Sequence, residues 1–251
     1  MVGRRYKVIG VAGIPEVRPG DAVADLVLAA AGAQGTPILA GDLLVVGQKI
    51  VSKAEGRLVR LADVAPSAAA AAMARELGRD ARVVEIILRE SRRIVRMDKG
   101  VLIVETHHGW ICANAGVDQS NVDLGTVTLL PVDPDRSARL LAERVRELAG
   151  VGVGVIIADT FGRPWREGLT NVAIGVAGIA PLRSYLGERD PAGHTLQATI
   201  LALADELAAA AEPVMGKLDR VPAAIVRGLD LPAGDEGSKP LLRDPSRDLF
   251  R

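Results

Sequence analysis

The sequence predicts an α/β (α+β) fold of mixed sheets arranged in two lobes. Three observations support this. Short apolar runs such as Val155–Ala158 stop abruptly at polar clusters, as buried strands do when they deliver side chains to a sheet edge. Helical stretches with cap residues at their starts and glycine at their stops alternate with those runs. Strands in the opening third, a mixed middle and a returning strand near the end imply a chain that leaves one lobe and rejoins it. The expected lobes are 1–75 with about 213–251, and 76–212.

In order, Tyr6 to Ala12 alternates weakly and reads as a first strand. A constrained loop, Gly13 to Asp21, follows, and Asp21 is expected to cap a helix reaching about Ala31. Asp42 to Lys53 reads as a buried strand ending in Ser52-Lys53-Ala54-Glu55-Gly56. Pro66 to Leu77 is helical, with Ser67 or Asp63 near its start and Gly78 after its end. Residues 82–92 fit strand or helix equally. Arg93 to Ala113 reads as a β-meander with turns at Asp98-Lys99-Gly100 and His107-His108-Gly109. Asn114 to Asp123 is a loop of small and polar residues, the kind that carries function on a rigid scaffold.

Asp133 and Pro134 open a helix with Leu140, Leu141 and Val145 inward and Gly150 as its stop. After the central strand, Val172 to Gly178 is a strand with glycines at close-packed points. Thr195 to Ala211 is an amphipathic helix with Asp205 and Glu206 facing water, ended by Pro213. Val214 to Pro222 is a loop, Ala223 to Arg227 a short strand, and the tail from Ala233 is polar.

Composition excludes several classes. The chain has 251 residues, with 31 Lys plus Arg against 31 Asp plus Glu, so no net basic field holds nucleic acid or an anionic membrane. Aromatic residues make up 2 %, too few for a base-stacking surface. Cys112 is the only cysteine; it excludes an internal disulfide and reads as a small buried hydrophobe. Neither a signal-peptide core nor a membrane-spanning run is seen, so a cytoplasmic location is expected.

The densest chemistry lies in Asp159-Thr160-Phe161-Gly162-Arg163-Pro164-Trp165-Arg166-Glu167-Gly168, where an apolar strand ends at a carboxylate, a hydroxyl and two arginines. Gly162 and Pro164 are expected to break the strand into a loop. Asp159 is then a metal ligand or general base, or it caps a turn and pairs with Arg163. Arg166 is an anion ligand or a structural partner of Glu167 or Asp159, and Trp165 reads as a packing residue. P-loop, dinucleotide and zinc signatures are absent, and His107-His108 reads as a solvated turn. Asp118, Asp159, Thr160 and Asp123 form an oxygen-rich set suited to Mg²⁺ or Mn²⁺. Lys49, Lys53, Arg163, Arg166 and Lys217 add cations, an inventory that fits phosphoryl transfer.

Four stretches taken together resemble a known family. They are Gly13 to Asp21, Ile50 to Gly56, Ala113 to Asn121 and Asp159 to Gly168, with Asp248-Leu249-Phe250-Arg251 at the end. In this order they resemble the coenzyme F420-0:L-glutamate ligases, called CofE in archaea and found as the N-terminal domain of FbiB in actinobacteria. The resemblance covers essentially the whole chain. It implies a two-lobed CofE-type fold in an intertwined homodimer, and a GTP-dependent enzyme that joins L-glutamate to F420-0 through a γ-linkage by way of an acyl phosphate. It also implies two divalent cations, Mg²⁺ or Mn²⁺, together with K⁺. By motif position, Asp118 and Asp159 hold one metal and Thr160 the second, while Lys53 and Arg166 join the aspartates as catalytic residues. Ile14, Pro15, Glu16, Val17, Gln48, Lys49, Lys53 and Asn121 line GTP, as do Met215, Gly216, Lys217, Leu218, Asp219, Arg220, Val221 and Pro222. The GTP loops belong to the first expected lobe and the aspartates to the second. Lys217 departs from the acidic or amide ligand that related sequences offer in that loop. A carrier that binds without turnover and a metal-dependent phosphohydrolase remain alternatives. Reduction of a dehydro-F420 precursor is assigned to a separate flavin-dependent reductase.

Overall fold

The computed structural model describes residues 5–248; Met1 to Arg4 and the Leu249, Phe250 and Arg251 of the terminal motif lie outside them. The centre is a five-stranded mixed sheet in the order β1-β12-β2-β8-β9. These strands are β1 (Lys7–Gly10), β12 (Ala223–Arg227), β2 (Leu43–Gly47), β8 (Gly154–Arg163) and β9 (Arg166–Ala177). Only β2 and β8 run parallel; the other pairings are antiparallel.

Period-two alternation divides the sheet's side chains between two cores. Leu44, Val46, Val155, Ile157 and Ile225 face one way, against α1 (Val23–Ala33), α2 (Gln48–Ala54) and α5 (Pro134–Ala149). Leu43, Val45, Ile156, Ala158 and Val226 face the other, against α6 (Leu203–Met215). A third core, containing Leu61, Val84, Ile87, Leu102 and Val127, sits apart from the main sheet. It is built from β3 (Leu58–Arg60), α3 (Ala68–Leu77), α4 (Ala81–Arg89), the meander β4 (Ser91–Asp98), β5 (Val101–Thr106) and β6 (Ile111–Ala113), and β7 (Thr126–Thr128). A two-stranded ribbon, β10 (Arg183–Ser184) with β11 (Ile200–Leu201), completes the described strands. The main sheet draws on both expected lobes, because β8 and β9 fall within 76–212 yet join β2 and β12.

Several expectations are corrected. The run from Asp42 to Lys53 is a strand only to Gly47, where pairing with β8 and β12 stops, and it continues as helix α2. Asp21 does not cap α1: its carboxylate accepts the Arg18 N–H at 2.7 Å, and Ala22 stands at the cap. Residues 81–89 resolve as a helix because Asp80 caps it through the Arg82 N–H. Gly162 does not break the strand, which is paired through it to Arg163. Pro164 does end it, in a tight hairpin turn of Pro164 and Trp165, the latter at φ 57, rather than in a long loop.

Leu140 is 52 % exposed rather than inward. The helix expected from Thr195 begins at Leu203, since Leu196 N–H and Thr199 carbonyl are engaged by Glu188 and Tyr185. Pro213 lies inside the last turn of α6 instead of ending it, and buried Met215 anchors that turn. Asp205 does not face water. It accepts the Ala173 N–H at 2.9 Å, as Asp135 accepts that of Val176, so two helix carboxylates cover the outer edge of β9. Gly175 meets the expectation of close packing, since a Cβ there would strike the Pro134 carbonyl.

The His107-His108 turn is only half solvated, as His108 Nε2 donates to the Pro131 carbonyl at 2.9 Å and its Nδ1 is buried without a partner among the described residues. Among the described residues no helix is long and apolar enough to cross a membrane.

Candidate active site

Sheet topology alone brings most of the singled-out residues to one edge. Because the parallel pairing of β2 and β8 ends at Gly47–Ala158, Gln48 and Lys49 leave β2 beside Asp159 and Thr160, which continue β8. Antiparallel β12 and β1 bring Ala223 and Gly10 to the same edge. The loops Val11–Asp21 and Gly216–Pro222 therefore open there, tied by Gly47 N–H to the Pro222 carbonyl and Val11 N–H to the Ala223 carbonyl, both at 2.8 Å. Ligands of open α/β sheets bind beyond such carboxyl ends.

Asp118 arrives from the other core. The turn before it uses left-handed backbone at Asn114 and Ala115, and a bridge to Thr128 fixes its main chain. Lys49 Nζ donates to its Oδ2 at 2.6 Å, Ser120 Oγ donates to the same oxygen at 2.8 Å, and Ser120 N–H donates to Oδ1 at 2.8 Å. Burial pushes this carboxyl up, but the lysine and Ser120 outweigh it and hold it below the usual carboxylate range.

Asp159 is the opposite case. Burial pushes its carboxyl up to about 6; the Thr160 backbone N–H relieves this, the negative charge of Asp118 adds to it, and Lys49 and Lys217 relieve it further. No ion pair to Asp159 is formed among the described residues. Asp118 is near enough for its charge to act on Asp159, and Lys49, which binds Asp118, acts on Asp159 as well. Cys112 behind them is buried, and its thiol is pushed up to about 12, chiefly by burial and then by Asp159, so it is an inert core residue as expected.

Beside Asp159, four side chains close a ring of three hydrogen bonds and one ion pair. Lys217 Nζ donates to Thr160 Oγ1 at 2.6 Å, and Thr160 Oγ1 donates to Asn171 Oδ1 at 2.7 Å. Asn171 Nδ2 donates to Glu212 Oε2 at 2.8 Å, and Glu212 Oε1 returns to Lys217 at 3.1 Å. Thr160 and Asn171 are cross-strand partners in the β8–β9 register. Sequence reading missed Asn171 and Glu212. A buried amide beside the apolar run Val172–Val176 was the available signal for the first; Glu212 was hidden by ending the helix too early.

The other candidates divide. Lys53 is 6 % exposed on α2 and pairs with Glu16 of the first loop, while Ile14 and Val17 are buried and Pro15 is exposed. Gln48 is buried, with Oε1 accepting from Ser52. Asn121 is exposed in left-handed backbone close to Ser120. In the last loop, Met215 is buried, Val221 and Pro222 are half-buried, and Leu218, Asp219 and Arg220 are exposed. The hairpin tip projects: Arg163 donates to the Glu167 carbonyl rather than to Asp159, Arg166 is exposed, and Trp165 is 78 % exposed instead of packed. A cavity of about 310 Å³ between α1, α2 and α5, lined in part by Val51, Leu141 and Arg144, contains none of these residues.

The sequence matches, over residues 12–228, the family model described as F420-0:gamma-glutamyl ligase. The chain belongs to this family. Membership makes it an enzyme of the ligase class. Among curated relatives, a coenzyme F420:L-glutamate ligase of Methanothermobacter thermautotrophicus is 48 % identical over 97 % of this chain and 98 % of its own length. One from Methanopyrus kandleri is 49 % identical over 94 % of both chains. Another, from Archaeoglobus fulgidus, is 39 % identical over 98 % of this chain and 97 % of its own. In this ligase-family chain the two aspartates, the two lysines that face them and the Thr160 ring all stand at one edge of the sheet.

Proposed function

We propose that the protein is a GTP-dependent ligase that adds L-glutamate through a γ-linkage to coenzyme F420-0 or a precursor variant. The observation that carries this reading is Asp159: a carboxylate raised by burial, next to a second carboxylate and without a contacting cation, is a place for a bound cation. Asp118 and Asp159 would hold Mg²⁺ or Mn²⁺. Three acceptor positions of Asp118 are taken by Lys49 and Ser120, which leaves Oδ1 able to accept again. Bound there, the ion would neutralise charge developing on the nucleotide phosphates.

In the proposed reaction a carboxylate oxygen of the acceptor attacks the γ-phosphorus of GTP, and the bond to the β-phosphate oxygen breaks to release GDP. The amine of glutamate then attacks the acyl carbon, phosphate departs with the bonding pair, and the amine proton is lost to solvent. Lys49 keeps Asp118 ionised and oriented, Lys53 and Arg166 offer positive charge to anionic groups, and the Gly13–Val17 and Met215–Pro222 loops flank the nucleotide. K⁺ and a separate flavin-dependent reductase complete the proposed setting. A homodimer is also proposed, supported by the apolar Trp165 and Leu169 exposed on the projecting hairpin; light scattering of the purified protein measures it.

One incubation tests the activity: F420-0, GTP, Mn²⁺ and L-glutamate, with products weighed by mass spectrometry. A gain of one glutamyl unit supports the ligase. GDP without that gain identifies a phosphohydrolase, and neither product identifies a carrier.

A further inference from the structure

The closed ring around Thr160 contains a cation that the chain itself supplies. We infer that the Lys217 ammonium stands in for a second divalent ion, so that this protein binds one such ion per active site where a two-ion site would bind two. The inference rests on the proposed function above for the site's purpose, but not for its geometry.

A divalent ion held by Thr160 would need the hydroxyl oxygen and a nearby carboxylate or amide oxygen free to ligate. Both already serve other partners, the ammonium among them. Thr160 Oγ1 accepts Lys217 and gives its own proton to Asn171 Oδ1. Of the two oxygens of Glu212, the carboxylate in the ring, Oε2 accepts from Asn171 and Oε1 is ion-paired with Lys217. A hard oxygen-seeking ion at Thr160 would have to displace the ammonium from the hydroxyl or sit against it, a like charge.

The backbone aims Lys217 at this position. Met215, 5 % exposed, anchors the end of α6. Gly216 follows at φ 60 and ψ −178, backbone that essentially only glycine adopts. Lys217 also acts on the neighbouring ligand, as its charge draws the Asp159 carboxyl down. Its one hydrogen bond goes to Thr160 and its charge is paired with Glu212, so donor capacity remains among the described residues. That capacity is available to an anionic oxygen, the task a second ion would otherwise perform.

The test counts metal directly. Wild-type protein and Lys217→Gln are dialysed to equilibrium against Mn²⁺, with and without a non-hydrolysable GTP analogue on both sides of the membrane, and bound manganese is measured per chain. The glutamine replaces the ammonium with an amide oxygen and, lying on an exposed loop, leaves the melting temperature within about 2 °C. The expected result is that Lys217→Gln binds about one more ion than wild type in at least one of the two conditions. Equal counts in both conditions, or two ions already in the wild type, overturn the inference. Either outcome leaves the ligase reading to its own assay, since a glutamyl mass gain does not depend on the count.

Discussion

The central sheet holds one buried and one half-buried carboxylate, and it treats them differently. At the amino end of β2, Asp42 is 2 % exposed and is gripped by Arg227 of β12 through bonds of 2.8 and 2.6 Å. In β8, one residue past the end of its pairing with β2, Asp159 has no such fork among the described residues. The first pair is complete within the chain, and it clamps β12 to β2. The second carboxylate is left in need of positive charge. A buried carboxylate with a built-in counter-ion makes architecture; a half-buried one without it makes a binding site.

The contrast can be broken most strongly at Asp159. Asp159→Ala should lower ligation by at least about 1,000-fold while far-UV circular dichroism is retained, and Asp118→Ala should do the same. Near-normal turnover in either would remove the metal assignment. The mirror substitution, Arg227→Ala, should cost roughly 3 kcal/mol of stability in denaturant titration by stranding Asp42, with the turnover of the folded fraction preserved.

A smaller effect concerns pH. The Asp159 carboxyl stands at about 6 against 3.8 in the unfolded chain, so the folded state holds this proton more tightly. The resulting stabilisation is full below about pH 4 and is lost as pH rises through about 6. In EDTA, chemical denaturation between pH 4 and 7 should show that decline in the wild type, and Asp159→Asn should flatten it. Lys49→Met should shift the decline to higher pH, because Lys49 lowers the Asp159 carboxyl. The smallest effect is at Cys112, whose thiol at about 12 should resist iodoacetamide at pH 8 until the protein is unfolded, as mass spectrometry would show.

Much of the fold is legible where local patterns are decisive. Ser67 and Gly78 bracket α3, Asp133, Pro134 and Gly150 bracket α5, and the meander turns fall at Lys99-Gly100 and at Gly109, because caps and left-handed backbone are chosen by the residues themselves. The errors fall where a partner decides. Val51 suits strand or helix, and it is helical where the pairing of this run with β8 and β12 has stopped, at Gly47. Gly162 looks like a breaker, yet pairing with Leu169 of β9 carries the strand through it, and only Pro164 ends it.

The site follows the same division. Sequence by itself determined the chemical inventory: the aspartates at 118 and 159, the hydroxyl at 160, and the lysines at 49, 53 and 217, since side-chain chemistry is local. Tertiary structure alone decided the pairings. It set Lys49 on Asp118 and Lys217 on Thr160, recruited Asn171 and Glu212, and left Asp159 without a contacting cation. Charge balance depends on distances across the fold, and those distances arise only once a parallel pair of strands ends side by side.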